Sequence, residues 1–222
     1  MAAPVHGETV KSMNASQAKT LPGVIDVYNM GEYVAVVADG YWQARQALDY
    51  VDVTFTESTS NTMGQDEMYA QYANSIEIGK KKVLQKAGNV DADMSEAASV
   101  FEAEYKVPYL AHACMEPMNA TAHVTDDEVH VWAGMQFQSA VRSNAARMFG
   151  LDEESVHVHS TYMGGGFGRR SVLDFTALAI LVSKKVGRPA QVIWSREQDT
   201  RGGFYRPLML ARMSGAIDAE GR

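Results

Sequence analysis

The feature that most constrains this chain is a glycine-rich stretch from Met163 to Arg170, which reads Met-Gly-Gly-Gly-Phe-Gly-Arg-Arg. It lies between a predicted strand and a predicted helix. Consecutive glycines let the backbone take positive φ angles and approach a ligand closely, because no Cβ atom stands in the way. Unsatisfied N–H groups and the dipole at a helix start favour an anion. Arg169 and Arg170 add two cations there, so the stretch predicts a negatively charged ligand.

The stretch matches neither of two common phosphate-binding sequences. A Walker A loop needs Gly-Lys followed by Ser or Thr, and the dinucleotide fingerprint needs a third glycine where Arg169 stands. A tight turn with two solvated arginines is the alternative interpretation.

Composition excludes several function classes. The longest uncharged apolar run, Phe175 to Val182, is far shorter than the roughly 20 residues of a membrane-spanning helix. A net charge of -7 argues against a nucleic-acid-binding surface. The single cysteine, Cys114, rules out an internal disulfide, a four-thiolate zinc site and an iron–sulfur cluster held by this chain alone. Electrons from any redox reaction would therefore leave through another polypeptide or domain.

The chain up to Phe55 predicts a compact β-β-α-β unit. Its apolar and alternating segments predict strands at 24–28 and 33–38, a helix capped by Asp39, and a strand containing Val51, Val53 and Phe55. No strand is predicted before residue 24, so we expect an earlier pairing partner to be missing. The polar segment from Thr56 to Ala98 predicts a connector with turns, including Ser58 to Asn61, and one short helix near 66–72.

The remainder of the chain predicts an alternation of strands and helices. The expected strands are 100–105, 156–159, 191–194 and 206–213, together with a hairpin of 120–124 and 129–133. The expected helices are 136–149, ended by Gly150, and 172–186, ended at Gly187.

A few isolated residues could carry chemistry. Gln136 could donate a hydrogen bond to an oxo group or a ligand carbonyl, although a helix-start role is the more common one. His112 and Glu116 are spaced by four, but Pro117 favours extended geometry there, so a structural hydrogen-bonding role is expected for both. His157 and His159 share one face of a strand, yet no third metal ligand is close in sequence.

Taken together, several ordered blocks resemble the large, molybdenum-cofactor-binding subunit of the xanthine dehydrogenase and aldehyde oxidoreductase family, and most closely its isoquinoline 1-oxidoreductase beta branch. The blocks in the second half are 111–122, Gln136 with Gly150, 164–170, 187–189 with 194–197, and 205–207. In the first half, 21–24 and 34–39 are similar to the α/β-hammerhead domain of that family.

The resemblance implies an α+β fold: a truncated α/β-hammerhead domain at 1–56, a connector at 57–98 and the N-terminal part of a molybdopterin-binding domain at 99–222. It also implies that Gln136 bonds an oxo ligand of molybdenum and that the glycine-rich stretch contacts the cofactor. The implied cofactor-binding residues are Gln136, Gly165, Gly166, Phe167, Gly168, Arg169 and Arg170, with no side chain ligating the metal. The implied cofactor is a molybdopterin, expected in its cytosine dinucleotide form.

The family hydroxylates an aldehyde or an N-heteroaromatic carbon, and in this branch a small [2Fe-2S] subunit receives the electrons. Ser171 stands where purine-oxidising members have a glutamate, so purine recognition is not expected. The catalytic glutamate of the family lies far towards the C-terminus of a longer chain. We therefore expect this chain to be a piece that is inactive alone, without a catalytic residue of its own and without bound molybdenum.

Two other functions are considered: a phosphate- or nucleotide-binding enzyme that uses the glycine-rich stretch, and a non-catalytic assembly subunit. Relatives in this branch are often exported to the periplasm, but no leader sequence is visible, so cytoplasm and periplasm both stay open.

Overall fold

A computed structural model describes residues 1–58 and 62–221 of the chain. It contains two compact units, Met1–Asn61 with Ala111–Tyr205, and Thr62–Leu110 with Arg206–Arg222. Both mix helices and strands, as the sequence predicted. The predicted domain boundaries at 56 and 98 stay a prediction, and part of the predicted Ser58 to Asn61 turn lies outside the described residues.

The elements, in chain order, are the following. The strands are β1 (Val10–Asn14), β2 (Val24–Asn29), β3 (Val34–Ala38), β4 (Asp52–Phe55), β5 (Ser99–Val107), β6 (Asn119–Val124), β7 (Val129–Ala133), β8 (Val156–Ser160), β9 (Ala190–Ile193) and β10 (Met209–Ile217). The helices are α1 (Tyr41–Ala47), α2 (Gln65–Ile78), α3 (Val90–Glu96), α4 (Gln138–Phe149), α5 (Asp174–Val186) and α6 (Arg196–Gly202).

The first part of the larger unit contains two antiparallel pairs, β2 with β3 and β1 with β4. Their apolar side chains meet in a small core that includes Val27, Val34, Ala47 and Val51. Strand β1 was not predicted: a strand does precede residue 24, and it pairs with β4. Helix α1 is preceded by Gly40 as its N-cap residue and not by Asp39, as the sequence had suggested.

A four-stranded sheet forms the second part of this unit, in the order β8-β7-β6-β9. Strands β7 and β8 are parallel, and the other neighbours are antiparallel. Alternate residues of β6 and β7 are buried, as expected for a sheet covered on one face. Those side chains, including Val129 and Val131, form one core with Val141 of α4 and with Phe175 and Ile180 of α5.

The smaller unit is built on the antiparallel pair of β5 and β10, which extends in continuous register from Ser99↔Ile217 to Val107↔Met209. Helices α2 and α3 belong to the same unit. The connector therefore has more helix than predicted, since α2 reaches residue 78 and α3 was not predicted. Within the described ranges, no helix is both long and apolar enough to cross a bilayer.

Candidate functional site

The glycine-rich loop, residues 163–168, leaves the end of β8 and enters a short 3-10 turn, Arg169–Ser171, ahead of α5. Its backbone is left-handed at three positions: φ is +94° at Gly165, +53° at Phe167 and +94° at Gly168. A phenylalanine rarely adopts this conformation, because its Cβ atom crowds the backbone. The predicted helix start at residue 172 is two residues early.

Close packing against the protein explains two of the glycines. A Cβ atom on Gly164 would lie 2.6 Å from the Cβ atom of Glu116, and one on Gly166 would lie 2.5 Å from the Oε1 atom of Gln136. Contacts this short cannot form without movement of a neighbour. The Cys114 thiol also donates to the Gly166 carbonyl oxygen at 3.4 Å. The loop is therefore seated between the segment at 114–116 and Gln136.

The backbone N–H groups of the loop fall into two sets. Gly164 donates to the Glu116 Oε2 atom at 2.8 Å, and Gly168 donates to the Gln136 Oε1 atom at 2.9 Å. In the part of the chain that the structure describes, the N–H groups of Gly165, Gly166 and Phe167 have no hydrogen-bond acceptor. Phe167 is 63% exposed, so the loop is open to solvent on that side. Gly166 itself is buried and Gly165 is half-buried, so Phe167 is the residue of the three on the side open to an external acceptor.

Arg170 is buried with 1% of its surface exposed, and it binds protein groups. Its guanidinium donates to the carbonyl oxygens of Gly165 (2.8 Å), Gly134 (2.9 Å) and Glu116 (3.0 Å), and to the Glu116 carboxylate at 2.7 Å. The side chain expected to meet an anionic ligand meets an internal carboxylate. Arg170 therefore fastens the loop to two distant segments of the chain.

Arg169 is also buried, with 2% exposed. It donates to both carboxylate oxygens of Asp174 at 2.8 and 2.7 Å, lies 4.0 Å from the Asp199 carboxylate and stacks over the Trp194 ring at 5.4 Å. The interpretation of two solvated arginines is wrong. Burial raises the pKa of Asp199, although the neighbouring arginines oppose that shift. Asp174 and Asp199 were not singled out from the sequence.

Glu116 holds the other side of the loop. It accepts hydrogen bonds from Gly164 N–H, from the Asn119 amide at 2.9 Å and from Arg170. Burial raises the pKa of this carboxyl, but the bonds from Gly164 and Asn119 and the charge of Arg170 outweigh burial and hold the pKa below its usual 4.5. The expected structural hydrogen-bonding role of Glu116 is confirmed.

Gln136 lies two residues before α4, which begins at Gln138, so the prediction that it opens the helix is wrong. Its side chain is exposed. Because its Oε1 atom accepts from Gly168 N–H, the amide is oriented and its Nε2 group remains as a donor. The structure therefore brings Gln136 and the loop residues 164–168 together, and their binding of a cofactor stays a prediction.

A separate cavity of about 410 Å³ lies between the first part of this unit and β9, and its lining includes Tyr33, Leu178 and Trp194 but no residue of the glycine-rich loop. Burial, with the nearby Asp174 and Glu32 carboxylates, raises the pKa of Tyr33 to about 12. This hydroxyl stays protonated at neutral pH.

Comparisons with known proteins agree on one family. The chain is 29% identical to the membrane-bound aldehyde dehydrogenase [pyrroloquinoline-quinone] of Gluconacetobacter polyoxogenes, over 98% of the chain and 29% of that protein. It is 27% identical to isoquinoline 1-oxidoreductase subunit beta of Brevundimonas diminuta, over 96% of the chain and 29% of that protein.

A solved structure gives the same result for the fold. The aldehyde oxidoreductase of Desulfovibrio gigas superposes with a TM-score of 0.74 at 20% identity, over 99% of the chain and 29% of that structure. The chain thus spans less than a third of the length of these relatives. Residues 73–222, which include the whole glycine-rich loop with its anchors Glu116, Gln136 and Arg170, match the family described as the molybdopterin cofactor-binding domain, and the chain belongs to that family.

Proposed function

We propose that this chain supplies the glycine-rich cofactor contact of a molybdenum-dependent oxidoreductase that hydroxylates an aldehyde or an N-heteroaromatic substrate. One observation carries the proposal: three adjacent N–H groups, at Gly165, Gly166 and Phe167, have no acceptor in the described chain, and they lie in a loop that the protein holds in shape and that is open to solvent at Phe167. Family membership supplies the identity of the acceptor, an anionic molybdopterin.

The residues present fit such a cofactor by their donor chemistry. Backbone N–H groups are neutral donors that suit the oxo and phosphate oxygens of the cofactor, and the Gln136 Nε2 group adds a side-chain donor next to them. Gly164 and Gly168 donate their N–H groups to Glu116 and Gln136. These two bonds hold the backbone in place on either side of Gly165, Gly166 and Phe167. When bound, the molybdenum centre supplies the two-electron oxidation of the substrate carbon.

The roles proposed for Arg169 and Arg170 differ from those inferred from the sequence. Their guanidinium groups are paired with internal acceptors, so we assign both side chains to ordering the loop and not to binding the cofactor. Ligand affinity is then assigned to backbone donors. Such donors bind without charge neutralisation, so cofactor binding should respond only weakly to ionic strength.

Three finer statements belong to the same proposal. Residues 1–56 form the α/β-hammerhead domain, the cofactor is the cytosine dinucleotide form, and the electrons pass to a separate [2Fe-2S] subunit. The single cysteine cannot hold a cluster, so the electrons leave these residues for another polypeptide or domain, and a separate subunit is the form proposed. The cysteine instead bonds the glycine-rich loop.

The test of the function is made on the complete gene product, purified with its neighbouring subunits from cells that synthesise the cofactor. Metal analysis should find molybdenum, the pterin should be released on denaturation, and an aldehyde or an N-heteroaromatic compound should be oxidised. A preparation without molybdenum would refute the proposal.

The role of Gln136 is tested by a matched pair of substitutions. Gln136→Glu keeps an oxygen for the Gly168 N–H but replaces the Nε2 donor by a negatively charged acceptor. We therefore expect at least about a tenfold loss of bound molybdenum, as is typical when a hydrogen bond to a charged group is removed. Gln138→Glu changes the same residue type two positions along, where the amide contacts Met135 and Ser160, and should leave molybdenum content unchanged. Equal molybdenum content in both variants would show that the Gln136 amide does not contribute to cofactor binding.

A further inference from the structure

Four of the six histidines lie on the sheet face opposite the core. In the antiparallel register of β6 and β7, His123 is beside His130, and in the parallel register of β7 and β8, His130 is beside His157 and Trp132 is beside His159. All are at positions whose strand neighbours, such as Val129 and Val131, point into the core. The sequence showed only the pair on β8, and the register adds its partners.

Glu128, the residue before β7, completes a compact group with two of these histidines. Its Oε2 atom lies 3.3 Å from His130 Nε2, and its Oε1 atom lies 3.8 Å from His157 Nε2. The three ligand atoms lie within 4.8 Å of one another. Two donor atoms that each lie about 2.0–2.1 Å from a tetrahedral zinc ion are about 3.3 Å apart, so small side-chain rotations suffice to place all three on one ion.

His159 is positioned to orient one of these ligands. Its Nε2 atom lies 3.2 Å from His130 Nδ1, the ring nitrogen of His130 that does not face Glu128. A metal-ligating histidine commonly donates its other ring N–H to an acceptor, which fixes its tautomer. The His130 and His159 rings are also coplanar within 5°, and Trp132 stacks on His159 at 4.8 Å between centroids. These contacts limit rotation of the His130 ring.

We propose that Glu128, His130 and His157 form a surface binding site for a divalent transition metal of the zinc class, with His159 as a positioning residue for His130. Two imidazoles and one carboxylate favour zinc, nickel or copper over magnesium and calcium, which prefer oxygen ligands. The site is partly exposed, so water can complete the coordination. It is independent of the proposed molybdenum chemistry.

Zinc binding to the whole 222-residue chain is measured by isothermal titration with ZnCl₂ alone, and the fold of each variant is checked by circular dichroism. We expect one saturable site per chain and a rise in melting temperature with zinc, because a ligand that binds only the folded state stabilises it. His159→Ala should weaken binding by about 10- to 100-fold. His130→Ala and His157→Ala should each weaken it at least as much.

His6→Ala is the matched control, since His6 is exposed and contacts Phe204 and Tyr205 instead of the cluster. It should bind zinc with the affinity of the unchanged chain. The proposal is overturned if the chain shows no saturable zinc binding, or if folded His130→Ala and His157→Ala bind zinc as tightly as His6→Ala does.

Discussion

Replacing Arg170 by methionine tests whether the glycine-rich loop is shaped by the protein or reserved for a ligand phosphate. Methionine keeps most of the apolar stem but removes all five N–H donors. The change breaks the pair with Glu116 and leaves the carbonyl oxygens of Gly165, Gly134 and Glu116 without this donor.

The expected loss is large for a single substitution. Breaking a buried ion pair by removing one partner costs about 3–5 kcal/mol, since the remaining charge is left uncompensated. The Glu116 carboxylate is partly exposed and keeps its bonds from Gly164 and Asn119, which reduces the cost. The carbonyl groups add to it, at about 1–3 kcal/mol for each that water cannot reach. We therefore expect the free energy of unfolding to fall by about 4 kcal/mol, against a total of about 5–15 kcal/mol for a typical domain.

Urea unfolding of the chain, followed by circular dichroism, measures this loss without any cofactor. Hydrogen exchange then shows whether protection is lost at Gly164 and Gly168, whose N–H groups are bonded. Arg142→Met is the control, because Arg142 is exposed on α4 and its loss should change stability by less than about 0.5 kcal/mol.

The reasoning is refuted if Arg170→Met unfolds within about 1 kcal/mol of the unchanged chain, a smaller change than loss of a single buried partner normally causes. An arginine held ready for a phosphate would show that behaviour.

Three further predictions concern the loop and its anchors. Gly166→Ala should lower stability by about 1 kcal/mol, because its Cβ atom would lie 2.5 Å from the Gln136 Oε1 atom and displace that side chain from its bond with Gly168 N–H; a thermal melt unchanged by Gly166→Ala would contradict the packing described for Gly166. The pKa of Glu116 is lowered in the folded state, so its contribution to stability is present above pH 4.5 and is lost as the pH falls below that value. Below pH 4.5 the free energy of unfolding of Glu116→Gln should therefore fall less steeply with pH than that of the unchanged chain, and equal slopes would contradict this. Phe167→Gly should be tolerated because φ is +53°, whereas the β-branched Phe167→Val should lose about 1–2 kcal/mol, and urea midpoints in the reverse order would contradict the left-handed assignment.

Local signals predicted much of the second half of the chain. The hairpin of β6 and β7 was predicted within one residue at each end, because alternating apolar residues flank a polar turn. Helices α4 and α5 end where Gly150 and Gly187 adopt left-handed conformations, as the helix-stop signal indicated.

Elements that depend on distant partners were missed. Strand β1 contains Lys11 and Ser12 and has little apolar pattern, so only its pairing with β4, about 40 residues away in sequence, makes it a strand. The burial of Arg170 depends on Glu116, 54 residues earlier. From the sequence alone, a run of Gly-Arg-Arg before a helix indicates an exposed anion site, because the distant internal partners of the arginines are not visible there.

The internal contacts of the loop change what its sequence means. Glycines 164 and 166 are required because Glu116 and Gln136 lie against them, and Arg170 is required because three carbonyl groups converge on it. The protein thus orders the N–H groups of 165–167 before any ligand arrives, which lowers the entropy lost on binding. Shape and ligand contact then depend on different residues, so Arg170→Met should damage stability of the cofactor-free chain, whereas Gln136→Glu should reduce molybdenum content in a chain of nearly unchanged stability.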